Sequence, residues 1–357
     1  MRRINTRHAS LALLAAVAIA LGMFATGVGA SAQGSHKHRH TTPTPTARPT
    51  STPTVGPKST PTVGPKSTPK PKPTSTPTST PTPTPTPTPT SAPNPPASSR
   101  WLPGSGPIAW QWELDHPLSV TSNTDMGIGD ETYTGAAAAT PTVYDIDGFD
   151  NPASTVAALH ARGDHVVCYI DVGTAENWRP DYSEFPAALL GSSNGWPGEN
   201  WLDTDPSGPD YSTLQSIMTA RFEMCASKGF DAVEPDNMDG AENSTGFNIT
   251  IAEQDQYDEW VANEVHSLGM SVAQKNYEDQ SSVLEPYFDF VIEEQCFQYD
   301  DCSDLAPYSR AGKAVLEVEY QGQGSAPASF CPSANALDFD SVQFDLDLDG
   351  DVRVPCR

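Results

Sequence analysis

The sequence predicts an α/β protein: one (β/α)8 TIM barrel, a single catalytic domain, behind a disordered Pro/Thr-rich linker. Three observations carry that expectation. Eight short apolar runs of strand character recur within residues 101–357, helical patterns separate several of them, and glycines close those helices just ahead of the next strand. A doubly wound open sheet is the alternative, but no glycine-rich phosphate loop follows the first strand.

The 357-residue chain does not fold along its whole length. Arginines in the first eight positions precede an apolar run over residues 11–28, and Ala30-Ser31-Ala32 offers a cleavage site. Residues 1–32 therefore read as a secretory signal peptide; left uncleaved, the same run is long enough to anchor the chain in a membrane. Residues 33–100 are dominated by Thr, Pro and Ser and repeat the octapeptide STPTVGPK at Ser51 and Ser59. Such a segment buries no core and predicts an extended, polyproline-like tether, with a composition suited to O-glycosylation. The histidines of His36-Lys37-His38-Arg39-His40 read as a basic start to the mature chain, with metal binding as the alternative. Residues 101–357 suit one barrel, for which roughly 250 residues is typical.

The strand-like runs fall at 108–112, 142–146, 166–170, 232–234, 271–274, 288–292, 314–318 and 341–344. A helical pattern over 151–162 places Val156 and Leu159 on one face and ends at Gly163. Another over 212–227 carries Leu214, Ile217, Met218 and Phe222 ahead of Gly229. A third, 250–268, opens on a Thr250 cap with Glu253 three residues on and closes at Gly269.

All 45 acidic residues, but only nine of the 20 lysines and arginines, follow Arg100, so the folded part is more acidic than the formal net charge of −25 indicates. That field repels nucleic acid and anionic membranes and attracts a cationic ligand; general solubility is the competing explanation. All six cysteines lie in the same part, an even count that favours three disulfides in an exported protein. Proximity pairs Cys296 with Cys302 and Cys331 with Cys356, leaving Cys168 with Cys225, one of fifteen connectivities that six cysteines allow. No CxxC pair or histidine spacing suits zinc. Residues 345–351, DLDLDGD, have the look of a calcium loop, but Cys356 stands where a bidentate Glu belongs at the twelfth position.

In a barrel the site lies where strands end and the following loops begin. Polar residues gather at those ends: Asp145 and Asp147; Asp171, Glu176 and Trp178; Glu234, Asp236 and Asn237; Lys275 and Asn276; Glu293, Glu294 and Gln295; Glu317, Glu319 and Tyr320. Taken alone, the stretch Gly229–Gly240 is a strand running into a solvated acidic turn. Six such loops converging on one face instead indicate a shared cleft. The chain shows no nucleophilic serine elbow, metal-binding histidine pair or phosphate loop. Carboxylates with aromatics remain, which is the equipment of glycoside hydrolysis: one carboxyl protonates the leaving oxygen while another attacks the anomeric carbon or activates water. Trp110, Trp112, Trp178, Trp196 and Trp201 are candidate stacking surfaces for sugar rings, with burial in the core as the competing reading of each.

These residues resemble glycoside hydrolase family 114, the endo-α-1,4-polygalactosaminidases. The likeness runs from Trp110-Gln111-Trp112 to Pro355-Cys356. It is carried by VCYIDVG at 167–173 with NWRP at 177–180, GENWLD at 198–203, GFDAVEPDNMDG at 229–240, QKN at 274–276, EQCFQY at 294–299 and AGKAV at 311–315 with EVEY at 317–320. The resemblance implies a secreted hydrolase that cleaves α-1,4-linked galactosamine polymers internally with retention, as a monomer and without cofactor or metal. Its implied partner is a cationic, partly deacetylated galactosamine polysaccharide. It places the catalytic pair on Asp236, as nucleophile, and Glu294, as general acid/base. It further implies that Asp171, Glu234, Asn237, Lys275, Tyr299 and Glu319 line sugar subsites. The chain departs from the family pattern at Asp171, where a small residue is expected, at Thr174-Ala175, at Phe344, and over 123–140, which reads as an insertion. A non-catalytic carbohydrate-binding domain on a stalk, or a hydrolase of another α-glycan, are the alternatives. The presence of both Asp236 and Glu294 speaks against the first.

Overall fold

The computed structural model describes residues 100–324 and 326–357. The expected signal peptide, the repeats, the histidine cluster and all but the last residue of the expected linker lie outside them. Among the described residues, twelve strands and seven α-helices are formed. The strands are β1 (Trp110–Glu113), β2 (Val143–Asp147), β3 (His165–Asp171), β4 (Thr174–Glu176), β5 (Leu190–Ser193), β6 (Glu199–Leu202), β7 (Ala232–Asp236), β8 (Ser271–Lys275), β9 (Phe290–Glu294), β10 (Val315–Tyr320), β11 (Asp340–Phe344) and β12 (Arg353–Pro355). The helices are α1 (Ala153–His160), α2 (Tyr211–Lys228), α3 (Ile251–Ser267), α4 (Ser281–Leu284), α5 (Cys296–Tyr299), α6 (Ala306–Ala311) and α7 (Pro327–Leu337).

Eight strands pair in parallel in the order β1-β2-β3-β7-β8-β9-β10-β11, and β12 adds antiparallel to the outer edge of β11. All eight runs expected from the sequence are these eight strands. The seam between β11 and β1 is bridged from both sides: Trp110 Nε1 donates to the Asp340 carbonyl at 2.8 Å, Ile108 N to Asp340 Oδ1 at 2.9 Å, and Arg353 Nε to the Trp110 carbonyl at 2.8 Å. The result is a nearly closed barrel of the TIM type with helices outside it.

Alternation along the strands separates two cores. Trp110, Val143, Val167, Ala232, Ala273, Phe290, Ile292, Leu316, Val318 and Val342 fill the barrel interior. The residues between them, among them Tyr144, Ile146, Val166, Cys168, Val233, Val272 and Val291, meet Val156, Leu159, Leu214, Phe222, Val261 and Val265 of the helices. Helix ends follow the sequence signals. Thr250 Oγ1 accepts from Glu253 N at 3.3 Å while Glu253 Oε2 accepts from Thr250 N at 2.8 Å, a complete capping box. Gly229 closes α2 in the left-handed region at φ 93°, where a side chain is strained.

The disulfides join Cys168 to Cys225, Cys296 to Cys302 and Cys331 to Cys356, the pairing that proximity suggests. The small antiparallel sheet β4-β6-β5 is not anticipated by the sequence patterns. Its strands are three or four residues long and lie in a Gly/Pro-rich stretch, too short for alternation to register. No helix of the described residues is long and apolar enough to cross a membrane.

Candidate active site

The inward-facing positions change character as each strand nears its C-terminal end. Below, they are apolar; at the end stand Trp112 on β1, Asp145 and Asp147 on β2, Tyr169 on β3, Glu234 and Asp236 on β7, Lys275 on β8, Glu294 on β9 and Tyr320 on β10. Strand register aligns them across the mouth, with Asp147 opposite Tyr169, Tyr169 opposite Glu234 and Asp171 opposite Asp236. Above them opens a cleft of about 1070 Å³.

Lys275 is the hub. Its side chain is 2 % exposed, and its Nζ lies 2.8 Å from Asp236 Oδ1, 2.8 Å from Glu294 Oε2 and 3.5 Å from Glu234 Oε1. The Asp236 and Glu294 oxygens are therefore no more than twice 2.8 Å apart. Burial alone would strip the lysine of its proton, but Asp236, Glu294 and Glu234 outweigh it and hold the ammonium well above its ordinary range. The ammonium also sits 5.2 Å from the centre of the Trp112 ring.

Each of the two carboxylates has two further donors. Asp236 Oδ2 accepts from the Tyr169 hydroxyl at 2.8 Å and from Asn237 Nδ2 at 3.2 Å. Glu294 accepts from Asn276 Nδ2 at 2.8 Å and from the Tyr320 hydroxyl, while its backbone N–H donates to Asn276 Oδ1 at 3.0 Å. Burial pushes the Glu294 carboxyl up, yet Lys275, Tyr320 and Asn276 together bring it down to about 2. The two asparagines owe their aim to the backbone. Asn237 and Asn276 take left-handed φ values of 62° and 51° directly after β7 and β8, turning their side chains back over the strand ends. Asparagine tolerates that region better than most residues, and such strain gathers at functional sites. Gly173 makes the Asn237 turn feasible: a Cβ there would lie 1.7 Å from the Asn237 carbonyl oxygen.

Of the residues expected at the site, Asp236, Asn237, Lys275, Glu294 and Tyr299 line the cleft. Three other residues expected there form its foundations instead. Asp171 is 1 % exposed and accepts from Thr174 N at 2.7 Å and Asn237 Nδ2 at 3.0 Å, so it holds the loops after β3 and β7. Glu234, fully buried, accepts from Trp112 Nε1 at 3.1 Å beneath Lys275. Glu319 faces outward from β10, opposite in parity to Tyr320, and accepts from Phe297 N and Gln298 N at the start of α5, both at 3.0 Å. Among the tryptophans, Trp110 belongs to the barrel core and is wholly buried, whereas Trp112, Trp178, Trp196 and Trp201 line the cleft. Trp178, at 53 % exposure, stands on the rim.

Of Tyr169, Asn276 and Tyr320, which position the two carboxylates, the sequence places Asn276 and Tyr320 at strand ends and leaves Tyr169 inside an apolar run. Tyr169 shares the inward parity of Val167 and Asp171, and strand alternation along its run is the signal that finds it. The β4-β6-β5 sheet walls one side with Glu176, Trp178, Arg179, Trp196, Glu199 and Trp201, and the other end is rimmed by Asp115, Asp347 and Asp349. Arg179 is satisfied by Glu176, with Nε to Oε2 at 2.7 Å, and by Asp147. Glu199 is driven to about 7 by burial and by the nearby charges of Glu176 and Asp236. Among the described residues, no three His, Cys, Asp or Glu side chains are placed to hold a metal ion.

The model of glycoside-hydrolase family GH114 matches residues 89–357. The chain is similar to Aspergillus fumigatus Ega3, solved as a complex with galactosamine. The two share 32 % identity over 70 % of this chain and 96 % of that one, with a TM-score of 0.60. The glycoside hydrolase domain of PelA from Pseudomonas aeruginosa shares the fold at 10 % identity, over 68 % of this chain and 97 % of that one, with a TM-score of 0.50. No curated protein gives a significant match.

Proposed function

The chain belongs to glycoside hydrolase family GH114 and is a glycoside hydrolase; from that premise we propose that it cleaves internal α-1,4-galactosaminidic bonds of a cationic, partly deacetylated galactosamine polysaccharide with retention, outside the cytoplasm and as a monomer. The observation that carries this reading is the pair Asp236 and Glu294 held on one ammonium at the floor of an acidic, tryptophan-lined cleft. Retaining glycosidases keep their carboxyls roughly 5–5.5 Å apart and inverting ones roughly 6.5–9.5 Å. A separation of at most twice 2.8 Å between the facing oxygens favours the first class. The galactosamine bound to Ega3 supports the substrate class, as does the excess of carboxylates around the cleft. Three disulfides suit an oxidising compartment, in keeping with the expected signal peptide.

In this reading Asp236 attacks the anomeric carbon, the C–O bond to the leaving sugar breaks, and Glu294 gives its proton to the departing oxygen. Water then attacks the anomeric carbon of the glycosyl ester, Glu294 takes the water's proton, and Asp236 is released. The contacts of Glu294 hold it ionised, the form the second step needs. The first step needs the neutral form, so substrate binding must draw Lys275 towards Asp236 and away from Glu294.

The test is hydrolysis of an α-1,4-galactosamine polymer by wild type, Asp236→Asn and Glu294→Gln, with NMR of the first-formed anomer. Both substitutions are expected to abolish turnover, and the first product is expected to be the α-anomer. Undiminished cleavage by either variant removes that residue from the mechanism, and an initial β-anomer overturns retention.

A further inference from the structure

The antiparallel sheet β4-β6-β5 carries, on the cleft wall, a carboxylate that the reaction does not use. Glu199 opens β6 and lines the cleft with Trp196 and Trp178. Its register partner on β4, Glu176, already has a cation, since Arg179 Nε donates to Glu176 Oε2 at 2.7 Å. Glu199 is paired with no lysine, arginine or histidine among the described residues. Its hydrogen bonds, from Thr174 Oγ1 at 3.2 Å and from Asn194 Nδ2, both fall on Oε2 and leave Oε1 to the cleft. We propose that Glu199 is a specificity-determining residue: it takes the ammonium of a deacetylated galactosamine unit whose ring lies along Trp196, and so distinguishes that unit from its N-acetylated form.

One turn fixes the carboxylate and the indole to each other. Asn194 Oδ1 accepts from Trp196 N at 2.9 Å while its Nδ2 holds Glu199, and Glu199 N donates to the Trp196 carbonyl at 3.3 Å. Asn177 N donates to the Gly198 carbonyl at 3.0 Å, which brings the exposed Trp178 to the same turn. An amino sugar offers matching groups, a C–H face for the indole and an ammonium at the ring edge for the carboxylate. Acetylation removes that charge.

The other carboxylates of the cleft are less suited to the task. Asp236 and Glu294 share Lys275. On the opposite rim Asp115 has its side chain 47 % exposed, and an ion pair made in open water contributes little. Burial, and then the charge of Glu176, push the Glu199 carboxyl up to about 7, and an ammonium against Oε1 offsets both. Glu199 is also tied to the floor of the cleft. The Thr174 hydroxyl lies between Glu199 Oε2 and Asp171 Oδ2, and Asn237 Nδ2 donates to Asp171 Oδ2 at 3.0 Å and to Asp236 Oδ2 at 3.2 Å. Asp171 and Thr174 are positions at which the chain departs from the family pattern, so this tie belongs to this chain.

The proposal rests on the galactosamine reading of the cleft, so binding and turnover are measured separately. In an Asp236→Asn background, which lacks the proposed nucleophile, calorimetry compares an α-1,4-galactosamine tetramer with its fully N-acetylated counterpart. The free-amine tetramer should bind at least about tenfold more tightly, as one charge-assisted hydrogen bond provides. Adding Glu199→Gln should abolish that preference, because the amide keeps the volume and still accepts from Thr174 and Asn194 but carries no charge. A preference that survives Glu199→Gln, or that the Asp236→Asn protein never shows, overturns the proposal. In otherwise wild-type protein, Glu199→Gln should raise KM for the deacetylated polymer at least about tenfold with kcat within about threefold. A fall in kcat at unchanged KM would assign Glu199 to the chemistry and also overturns the proposal. Should wild type not cleave the polymer, the hydrolase reading of the substrate falls, and the tetramer preference alone decides the role of Glu199.

Discussion

Lys275→Met keeps the length of the side-chain stem and removes the charge on which three carboxylates depend. Taking one partner from a buried ion pair costs about 3–5 kcal/mol, because the other is left charged in a poor solvent. The sign with pH follows from Glu294. In wild type its carboxyl falls from 4.5 to about 2, and at 1.36 kcal/mol per unit this contributes about 3 kcal/mol of stability. That contribution is fully present above 4.5 and is lost as pH falls through 2. Without Lys275 burial dominates and the folded carboxyl rises above its unfolded value. Its effect then reverses: no cost at low pH, and a growing loss of stability as pH rises through the raised value. The stability gap between wild type and variant should therefore be about 3–5 kcal/mol at pH 7 and narrow by about 2 kcal/mol or more at pH 4. Urea unfolding at both pH values, followed by tryptophan fluorescence, measures it. A gap that stays constant or widens on acidification would refute the claim that Lys275 holds the Glu294 carboxylate ionised.

Gly173→Ala should lower both stability, by about 1–3 kcal/mol, and kcat, because its Cβ would meet the Asn237 carbonyl oxygen at 1.7 Å and displace the turn that aims Asn237 at Asp236. Thermal melts and turnover on the same preparation check this, and a variant with unchanged kcat would show that the turn after β7 is not what fixes Asp236. Thr250→Ala breaks the capping box of α3, far from the cleft. It should cost about 1 kcal/mol, seen as a melting point roughly 2–4 °C lower with kcat unaltered.

The barrel was legible in the sequence because its strands are buried on both faces and so read as short apolar runs, as in VVCYI before Asp171 and FDFVI before Glu293. Helix ends were legible where a local rule decides them, as at Thr250 with Glu253 and at Gly229. The antiparallel β4-β6-β5 wall escaped because its short strands are specified by neighbours in space, for example the pairing of Thr174 with Trp201. The site was legible as a face but not as an arrangement. Asp171, Glu234 and Glu319 sit at strand ends like their cleft-lining counterparts, and only tertiary contacts show that Thr174, Trp112 and the start of α5 claim them. Tyr169 escaped for the opposite reason, since a tyrosine in an apolar run is ordinarily core and only the neighbouring Asp236 gives its hydroxyl a task.

Depth in the barrel, more than residue type, separates the roles of Glu234 and Asp236. They share the inward face of β7, two residues apart, and a strand rises about 3.3 Å per residue. Asp236 is thereby lifted to the mouth with its side chain 19 % exposed, while Glu234 stays at the level of Trp112 with none. Lys275 spans the two levels. Its ammonium stands among carboxylates that would otherwise repel one another, Asp236 and Glu294 above it and Glu234 below. An inward acidic pair two residues apart on one strand therefore sets one carboxylate at the mouth of the cleft and the other beneath it, and the lysine on the next strand meets both within the same barrel.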